Sequence, residues 1–372
     1  MTVERALARV DVGAIERNCA HLRSLLTGDA ELCAVVKADG YGHGAAWAAR
    51  AAVAGGASWL GVATAAEAED LRRHGLAGPI LVMGALTPDD VRTALEADAD
   101  VVAWKEGFVE ALADRAPPGA RLPRVHVKID TGMGRLGTGD PDEARAVAAA
   151  VADDERLVLA GLMSHFATAD EPGDKHFPAQ LERFTGFATE MREEYPGIRV
   201  HAANSAATYR EPAAHFDMVR CGIAIYGLDP FQDDPAERGL EPALSLSSYV
   251  ASVKPFEPGD SAGYGRTWRA PEPTLVGALP IGYGDGWRRA LSNACDVLVE
   301  GRRRPLVGTV SMDNVTVDLG ADSEVQPGEP AVLIGEQRGE RILCEEVARR
   351  LGTINYEVTC GLSSRVRRSY ER

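Results

Sequence analysis

The sequence predicts an α/β protein in which a parallel barrel of eight strands and eight helices precedes a mainly β domain. Three observations support this prediction. Eight short apolar runs alternate with alanine-rich amphipathic segments over roughly the first two-thirds of the 372 residues. Several of these segments open with Asp or with Thr-Pro-Asp, as helices commonly do. From about residue 241, β-branched runs separated by glycine and proline replace the alternation.

The apolar runs are interpreted as strands because each is short and an amphipathic segment follows it. Strands that alternate with helices pair in parallel, and eight such units match a (β/α)8 barrel. A doubly wound open sheet is the alternative, but it usually needs fewer repeats and often has a glycine fingerprint after its first strand. The predicted strands are residues 32–37, 59–64, 79–84, 100–104, 124–130, 158–165, 198–204 and 218–226.

We expect the barrel domain over residues 10–240 and the β domain over residues 241–372, with residues 1–9 packing against the β domain. The Pro- and Asp-rich segment LDPFQDDPAERGLEP has the composition of a linker between them. Beyond it, runs such as TLVGALPIGYGDG, EPAVLIGE and INYEVTCGLSSRV predict strands, and CEEVARRLG predicts one short helix.

Composition narrows the class of protein. A net charge of −15 disfavours a nucleic-acid backbone or an anionic membrane as a partner. Six scattered cysteines without metal-type spacing indicate reduced thiols in a cytosol and no metal site. The N-terminus lacks the apolar core of a signal peptide, and no run is long and apolar enough to span a bilayer. The sequence therefore predicts a cytoplasmic protein.

Polar and titratable residues follow the predicted strands, where the chemistry of such barrels is located. Loops begin at strand ends and are generally polar, which accounts well for Asp130 and Asn204. The same explanation is weaker for Lys37, His165 and Arg220, because each stands inside or directly after an apolar run. The full set at these ends is Lys37, Lys128, Asp130, His165, Asn204, Ser205 and Arg220.

A lysine at a barrel strand end has three plausible fates: it pairs with a carboxylate, binds an anion or forms a Schiff base. The third fate fits pyridoxal phosphate, whose phosphate would lie near the last two strands, where barrels often bind phosphate. Ser205 and Gly222 follow those strands. Glycine at a strand end also occurs merely to permit a bend, so both interpretations stay open.

Nine motifs together resemble the alanine racemase family, in order and over essentially the whole chain. They are AVVKADGYGHG, HVKIDTGMGRLG, GLMSHFATAD, HAANSAAT, MVRCGIAIYG, GYGRTW, PIGYGDGW, VGTVSMD and INYEVTCGLSSRVRR. The basic amino-acid decarboxylases share a similar lysine strand, but their His-Gly-Ser block and Cys-Glu-Ser segment are not found in this sequence. A single-barrel relative concerned with cofactor homeostasis would lack the domain that begins near residue 241.

The resemblance implies a pyridoxal 5′-phosphate-dependent racemase that interconverts L- and D-alanine and supplies D-alanine for peptidoglycan. Lys37 would hold the cofactor covalently and act as one acid/base group, and Tyr264 would be the other, on the opposite face of the substrate. Arg220 would face the pyridine nitrogen, with His165 bonded behind it. The remaining cofactor-binding residues, mainly around the phosphate, would be Tyr41, Asn204, Ser205, Gly222, Ile223 and Tyr356.

The resemblance also assigns the substrate site. Arg135 would meet the ring hydroxyl and the substrate carboxylate, to which the Met312 backbone N–H would also donate. Lys128 matches a position that is carbamylated in some members, and the sequence leaves open whether this happens here. Two departures are Cys221, where many members have Pro, and Ser311, where the family commonly has Cys. The residues expected around the site or its entrance are Lys128, Asp170, Tyr283, Ser311 and Asp313.

The resemblance further implies a head-to-tail homodimer with two shared sites, in which Tyr264, Tyr283 and Met312 act across the interface. Two alternatives stay open. One is a racemase of broader scope that also takes serine, for which Ser311 is the residue to examine. The other is a non-catalytic carrier of pyridoxal phosphate, which would need no second base.

Overall fold

The computed structural model describes residues 4–116 and 121–372, so residues 1–3 of the N-terminal segment lie outside the described residues. Two compact units make up the chain. One is Ile15–Ile225, and the other joins the N-terminal segment through Ala14 to Tyr226–Arg372. The first strand, β1 (Leu7–Asp11), belongs to the second unit. The domain boundaries of 10–240 and 241–372 stay a prediction.

The first unit contains eight parallel strands in the order expected for a barrel. Chain order follows spatial order from one strand to the next, and the last strand pairs with the first. Backbone hydrogen bonds from Arg220 to Ala203 and from Asp217 to Val200, 2.9 and 3.0 Å long, join the two remaining edges. This confirms the predicted eight-stranded barrel. The strands are β2 (Glu31–Val35), β3 (Trp59–Val62), β4 (Ile80–Val82), β5 (Asp100–Ala103), β6 (Arg124–Lys128), β7 (Val158–Met163), β8 (Arg199–His201) and β9 (Met218–Cys221).

Helices follow the strands, and their starts match the predicted signals. Thr64 and Thr87 each form a capping box, which satisfies backbone N–H groups that have no partner within the helix. No helix in the described ranges is long and apolar enough to cross a membrane. The helices from α1 to α9 are α1 (Val12–Ser24), α2 (Lys37–Tyr41), α3 (Ala45–Ala54), α4 (Ala65–Arg73), α5 (Pro88–Glu96), α6 (Glu106–Ala113), α7 (Pro141–Ala152), α8 (His176–Glu194) and α9 (Ser205–Arg210).

The second unit is mainly β, as predicted. Its larger sheet includes β1, which pairs antiparallel with β10 and parallel with β20. A three-stranded sheet has the order β11-β14-β17. The strands are β10 (Leu244–Tyr249), β11 (Ser252–Phe256), β12 (Ser261–Ala262), β13 (Trp268–Arg269), β14 (Thr274–Leu279), β15 (Asp296–Val299), β16 (Arg302–Pro305), β17 (Val315–Asp318), β18 (Pro330–Gln337), β19 (Glu340–Ile342) and β20 (Arg367–Glu371).

The predicted helix near residue 344 is present as α10 (Cys344–Leu351), but the strand predicted from INYEVTCGLSSRV is wrong. The first part of this segment forms a second short helix, α11 (Asn355–Cys360). Tyr, Val and Thr favour strands, which explains the prediction. Tertiary hydrogen bonds override this local preference. The side-chain amide of Asn355 donates to Glu345 Oε1 at 2.8 Å and to the Asp229 carbonyl at 2.9 Å.

Glu345 supports a prediction about stability. Its side chain is fully buried, and within the described residues its Oε2 has no hydrogen-bond partner. Burial raises the pKa of the Glu345 carboxyl. The folded protein therefore keeps this proton to a higher pH than the unfolded chain does, and stability is lost as pH rises from the unfolded towards the folded pKa. We expect Glu345→Gln, which stays neutral, to melt at an increasingly higher temperature than the wild type as pH rises from about 5 to 8.

The control for this experiment is Glu336→Gln, which changes an exposed carboxylate on β18. Thermal unfolding of the three proteins across the pH range measures the effect. A constant difference in melting temperature between Glu345→Gln and the wild type would contradict the prediction.

Candidate active site

The lysine singled out in the sequence begins a strained turn. Lys37 is the first residue of α2, in which Ala38 and Asp39 have φ of 52° and Gly40 has φ of 60°. Tyr41 follows with φ of 53°. A left-handed conformation costs a non-glycine residue roughly 1–2 kcal/mol. Such strain persists only where surrounding structure compensates for it, and it is concentrated at functional sites.

Glu67 supplies part of that compensation. Its carboxylate accepts hydrogen bonds from the Ala38 N–H at 2.7 Å, the Ala63 N–H at 2.8 Å and the Thr64 N–H at 3.1 Å. It therefore ties the turn after β2 to the turn after β3. Sequence reasoning did not identify Glu67, although the Thr-x-x-Glu spacing of a capping box was visible there.

Arg220 is a buried cation among neutral partners. Its Nη1 donates to His201 Nδ1 at 2.8 Å, and its Nη2 lies 3.1 Å from His165 Nδ1. Nη2 also donates to the Ser164 carbonyl at 2.8 Å and the Ala202 carbonyl at 3.0 Å. A guanidinium only donates, so both imidazoles accept through Nδ1 and carry their proton on Nε2.

The electrostatics agree with these protonation states. Burial, with the Arg220 charge next in importance, lowers the pKa of His165 and of His201 well below the ordinary value. Burial also lowers the pKa of Arg220 to about 10, which leaves it charged at neutral pH. His201 was missed as a site residue, although it interrupts an apolar run in the same way as His165.

Asp130 shapes the loop that presents Arg135. Its carboxylate accepts from the backbone N–H groups of Gly132, Met133, Gly134 and Arg135, at 2.9, 2.7, 2.7 and 3.2 Å. Burial raises the pKa of Asp130, but these four donors outweigh it and the net shift is downward. The loop is thus organised around a carboxylate that stays ionised, and the Arg135 side chain is exposed.

Lys128 lies at the end of β6 with 4% of its surface exposed. Burial, followed by the charges of Arg220 and Arg135, lowers its pKa to about 8. The charge of Lys37 also contributes to this shift. Lys37, Arg135 and Arg220 are therefore all close enough to Lys128 to interact with it electrostatically.

A cradle suited to a phosphate group lies in the same unit. Ser205 Oγ accepts from the Gly222 N–H at 3.1 Å and from the Ala224 N–H at 3.4 Å. A Cβ on Gly222 would lie 2.3 Å from the Tyr41 hydroxyl, so any larger residue would displace the Tyr41 side chain. Ser205, Gly222 and Tyr41 are therefore close together, and Ile223 directly follows Gly222. Asn204 caps α9 by accepting from the Ala207 N–H at 3.0 Å. Converging backbone N–H groups and hydroxyls fit a phosphate.

Three of the predicted site residues lie in the second unit and have large, exposed side chains. Tyr264 is 73% exposed, Met312 52% and Tyr283 41%. The loop that contains Ser311 and Met312 connects them. The Tyr283 N–H donates to the Ser311 carbonyl at 3.0 Å, and Thr309 Oγ1 donates to the Tyr264 carbonyl at 2.8 Å. The structure thus brings Tyr264, Tyr283, Ser311 and Met312 to one surface.

Asp313 directly follows Met312 and forms an ion pair with Arg365 at 2.6 Å. The two other predicted residues lie elsewhere. Tyr356 is half-buried on α11, in the second unit. Asp170 is exposed in the loop after β7, in the barrel unit.

These features define an enzyme of the parallel-barrel class whose candidate site is at the carboxyl ends of the strands. A family model described as alanine racemase, N-terminal domain, matches residues 10–230, and one described as alanine racemase, C-terminal domain, matches residues 243–370. The chain belongs to the alanine racemase family, a family of amino-acid isomerases. The resemblance carried by the nine motifs is confirmed.

Individual relatives cover nearly the whole chain. An alanine racemase of Symbiobacterium thermophilum is 42% identical, over 98% of this chain and 96% of the relative. Alanine racemase 1 of Bacillus subtilis is 40% identical, over 98% of this chain and 92% of the relative. The crystal structure of the alanine racemase of Streptomyces lavendulae, a producer of D-cycloserine, superposes with a TM-score of 0.94 at 37% identity. That comparison covers 100% of this chain and 98% of the solved one.

Proposed function

We propose that this chain interconverts L-alanine and D-alanine with pyridoxal 5′-phosphate held covalently by Lys37. The observation that carries the proposal is the combination, in one barrel unit, of three features. Lys37 begins a strained turn at a strand end, Tyr41, Ser205 and Gly222 lie close together where backbone N–H groups converge, and Arg220 is a buried donor. Family membership supports the same reaction.

The residues present fit the cofactor. The cradle, with Ile223, Asn204 and Tyr356, would hold its phosphate, and Arg220 would donate to its ring nitrogen. Bound pyridoxal phosphate supplies an electron sink that acidifies the hydrogen on the substrate's α-carbon. Because Arg220 keeps its own proton at neutral pH, it would donate to the ring nitrogen without protonating it. An unprotonated ring nitrogen would weaken the electron sink, which would favour racemisation over transamination.

Racemisation must remove a proton from one face of the α-carbon and return one to the other. We assign these two tasks to Lys37 and Tyr264. Arg135 and the Met312 N–H would hold the substrate carboxylate, and the Asp130 loop positions Arg135.

Tyr264 is 73% exposed in a single chain, which suits a residue that enters the site of another protomer. We propose a head-to-tail homodimer in which the second unit of each protomer covers the barrel of its partner. Tyr283 and Met312, which are also exposed, would lie at the same interface. A cytoplasmic enzyme of this kind would supply D-alanine for peptidoglycan.

Lys128 is a candidate for carbamylation. With a pKa of about 8, it has roughly 300 times more neutral amine at pH 7 than a lysine of ordinary pKa, and only the neutral amine reacts with carbon dioxide. We expect ¹³C-bicarbonate to produce a carbamate signal in the ¹³C NMR spectrum of the protein. Lys128→Gln should lack the signal, whereas the exposed-surface variant Lys105→Gln should keep it. Absence of the signal from the wild type at pH 8 would contradict this prediction.

The test of the function is the visible absorption spectrum of the purified protein with pyridoxal phosphate, together with D-alanine formation from L-alanine. Comparable turnover of serine would favour the broader racemase, and Ser311→Cys would then show whether that side chain sets the preference. Full cofactor loading with no racemisation above background would favour the non-catalytic carrier.

A further inference from the structure

A line of buried side chains continues from Arg220 through the barrel interior. His201 Nε2 lies 2.8 Å from His126 Nδ1, and His126 Nε2 lies 3.1 Å from Asp100 Oδ2. His126 and His201 have no exposed surface, and Asp100 is 1% exposed. We call His126 and His201 the histidine bridge, because they connect the Asp100 carboxylate to the Arg220 guanidinium.

The two ends of the bridge determine its protonation. Arg220 can only donate, and an ionised carboxylate can only accept. Each imidazole between them must therefore accept on Nδ1 and donate from Nε2. In the reversed tautomers, an N–H of His201 would face an N–H of Arg220, and that hydrogen bond would be lost. Since a histidine's tautomer is set by the hydrogen bond its other nitrogen makes, Asp100 controls the group that faces Arg220.

The barrel backbone leaves room for this bridge. His126 is on β6 and His201 on β8, with β7 between them. The β7 residue in register with His126 is Gly161, and a Cβ there would lie 2.3 Å from His126 Nδ1. Any other residue at 161 would therefore occupy the space needed by the imidazole. The space that Gly161 leaves for the imidazole indicates that the hydrogen bond between His126 and His201 is a built-in feature of the barrel, not an accidental cluster of polar side chains.

Asp100 is itself held at the opposite end of the barrel strands. Arg124 Nε donates to its Oδ1 at 2.6 Å. One carboxylate oxygen of Asp100 therefore accepts from Arg124 and the other from His126. Arg124 also donates from Nη1 to the side chain of Asp98 at 2.9 Å. Asp98 is 52% exposed. The two aspartates share Arg124, but Asp100 is the one that reaches His126 and, through it, Arg220.

We propose that Asp100, acting through the histidine bridge, is a positioning residue for Arg220: it fixes both tautomers so that His201 presents an acceptor to the guanidinium. This inference rests on the proposed function, because Arg220 is there assigned to the ring nitrogen of the cofactor. Neither Asp100 nor His126 would touch the cofactor or the substrate. Replacing either residue would disturb the orientation of Arg220. It would therefore slow the chemical step more than it would weaken alanine binding.

The experiment compares the full-length wild type, Asp100→Asn and Asp98→Asn, with and without pyridoxal phosphate. Histidine ¹⁵N NMR reads the tautomers of His126 and His201, with His126→Gln and His201→Gln used for assignment. We expect Nε2–H at both positions in the wild type and in Asp98→Asn, and a changed or mixed tautomer in Asp100→Asn. We expect kcat of Asp100→Asn to fall about 10- to 100-fold, as for other residues that orient a ligand group, with KM for alanine changed less than about 3-fold.

Three results would overturn the inference. The first is an Nδ1–H or a charged imidazole at His126 or His201 of the wild type at neutral pH. This measurement does not depend on whether the Asp100 variant folds. The second is an Asp100→Asn protein with wild-type tautomers or wild-type kcat. The third is an equal loss of kcat in Asp98→Asn, which would reduce Asp100 to an anchor for Arg124. If the wild type were inactive but had the expected tautomers, the proposed function would fail separately from the bridge.

Discussion

Replacing Lys37 with alanine is expected to abolish covalent attachment of pyridoxal phosphate and to lower alanine racemisation by at least about 10³-fold. The residue would both hold the cofactor and move a proton, so one substitution removes two functions. Absorption spectra after dialysis measure attachment. Borohydride reduction followed by peptide mass analysis identifies the modified residue in the wild type, where we expect Lys37.

The matched control is Lys105→Ala, which removes an exposed lysine of the same unit that forms an ion pair with Glu143. It should keep the wild-type spectrum and rate. Borohydride-stable cofactor on another lysine, in the wild type or in Lys37→Ala, would show that the covalent site has been misassigned. Loss of colour in both variants would indicate general damage instead.

Tyr264→Phe is expected to bind pyridoxal phosphate normally and to lose racemisation in both directions by about 10²–10⁴-fold, the usual contribution of one general acid/base group. The direction of the remaining exchange is the informative readout. In heavy water, Lys37 should still exchange the α-hydrogen of D-alanine, whereas exchange into L-alanine should fall with racemisation. Mass spectrometry of the separated enantiomers measures both rates.

Tyr195→Phe provides the control, because it removes a tyrosine hydroxyl at the C-terminal end of α8 in the barrel unit. Its exchange rates should equal those of the wild type. If deuterium entered L-alanine at the normal rate in Tyr264→Phe, another group would be the base on that face. If exchange into D-alanine fell equally, Tyr264 would be needed for binding or structure instead of for one face.

The periodic pattern of apolar residues was sufficient to predict most of the barrel. The alternation of apolar runs and capped amphipathic segments reports local preferences and burial, and each of the eight strands overlaps its predicted run. The last run is only partly a strand, because Ile223–Tyr226 forms a 3-10 helix. The prediction failed at α11, where strand-favouring residues form a helix because Asn355 bonds to Glu345 and to the Asp229 carbonyl. Those partners are 10 and 126 positions away in the chain, beyond the reach of a local pattern.

The linker interpretation illustrates the same limit. LDPFQDDPAERGLEP has the composition of a loose connection, but Asp229 and Pro235 are buried, and Asp229 belongs to the hydrogen-bond network of Glu345. Composition reports how well a segment tolerates solvent. It does not report which partners the rest of the chain brings to that segment.

By itself the sequence determined the barrel, the mainly β second unit, the family and the set of residues on which the proposed chemistry rests. Its motifs are local, and side chains at strand ends follow from periodicity. The tertiary structure decided how those residues are held: the left-handed turn at Lys37 supported by Glu67, the neutral imidazoles around Arg220, and the bridge to Asp100 across Gly161. These arrangements depend on strand register and on hydrogen bonds between residues 19 to 75 positions apart, which no local pattern encodes.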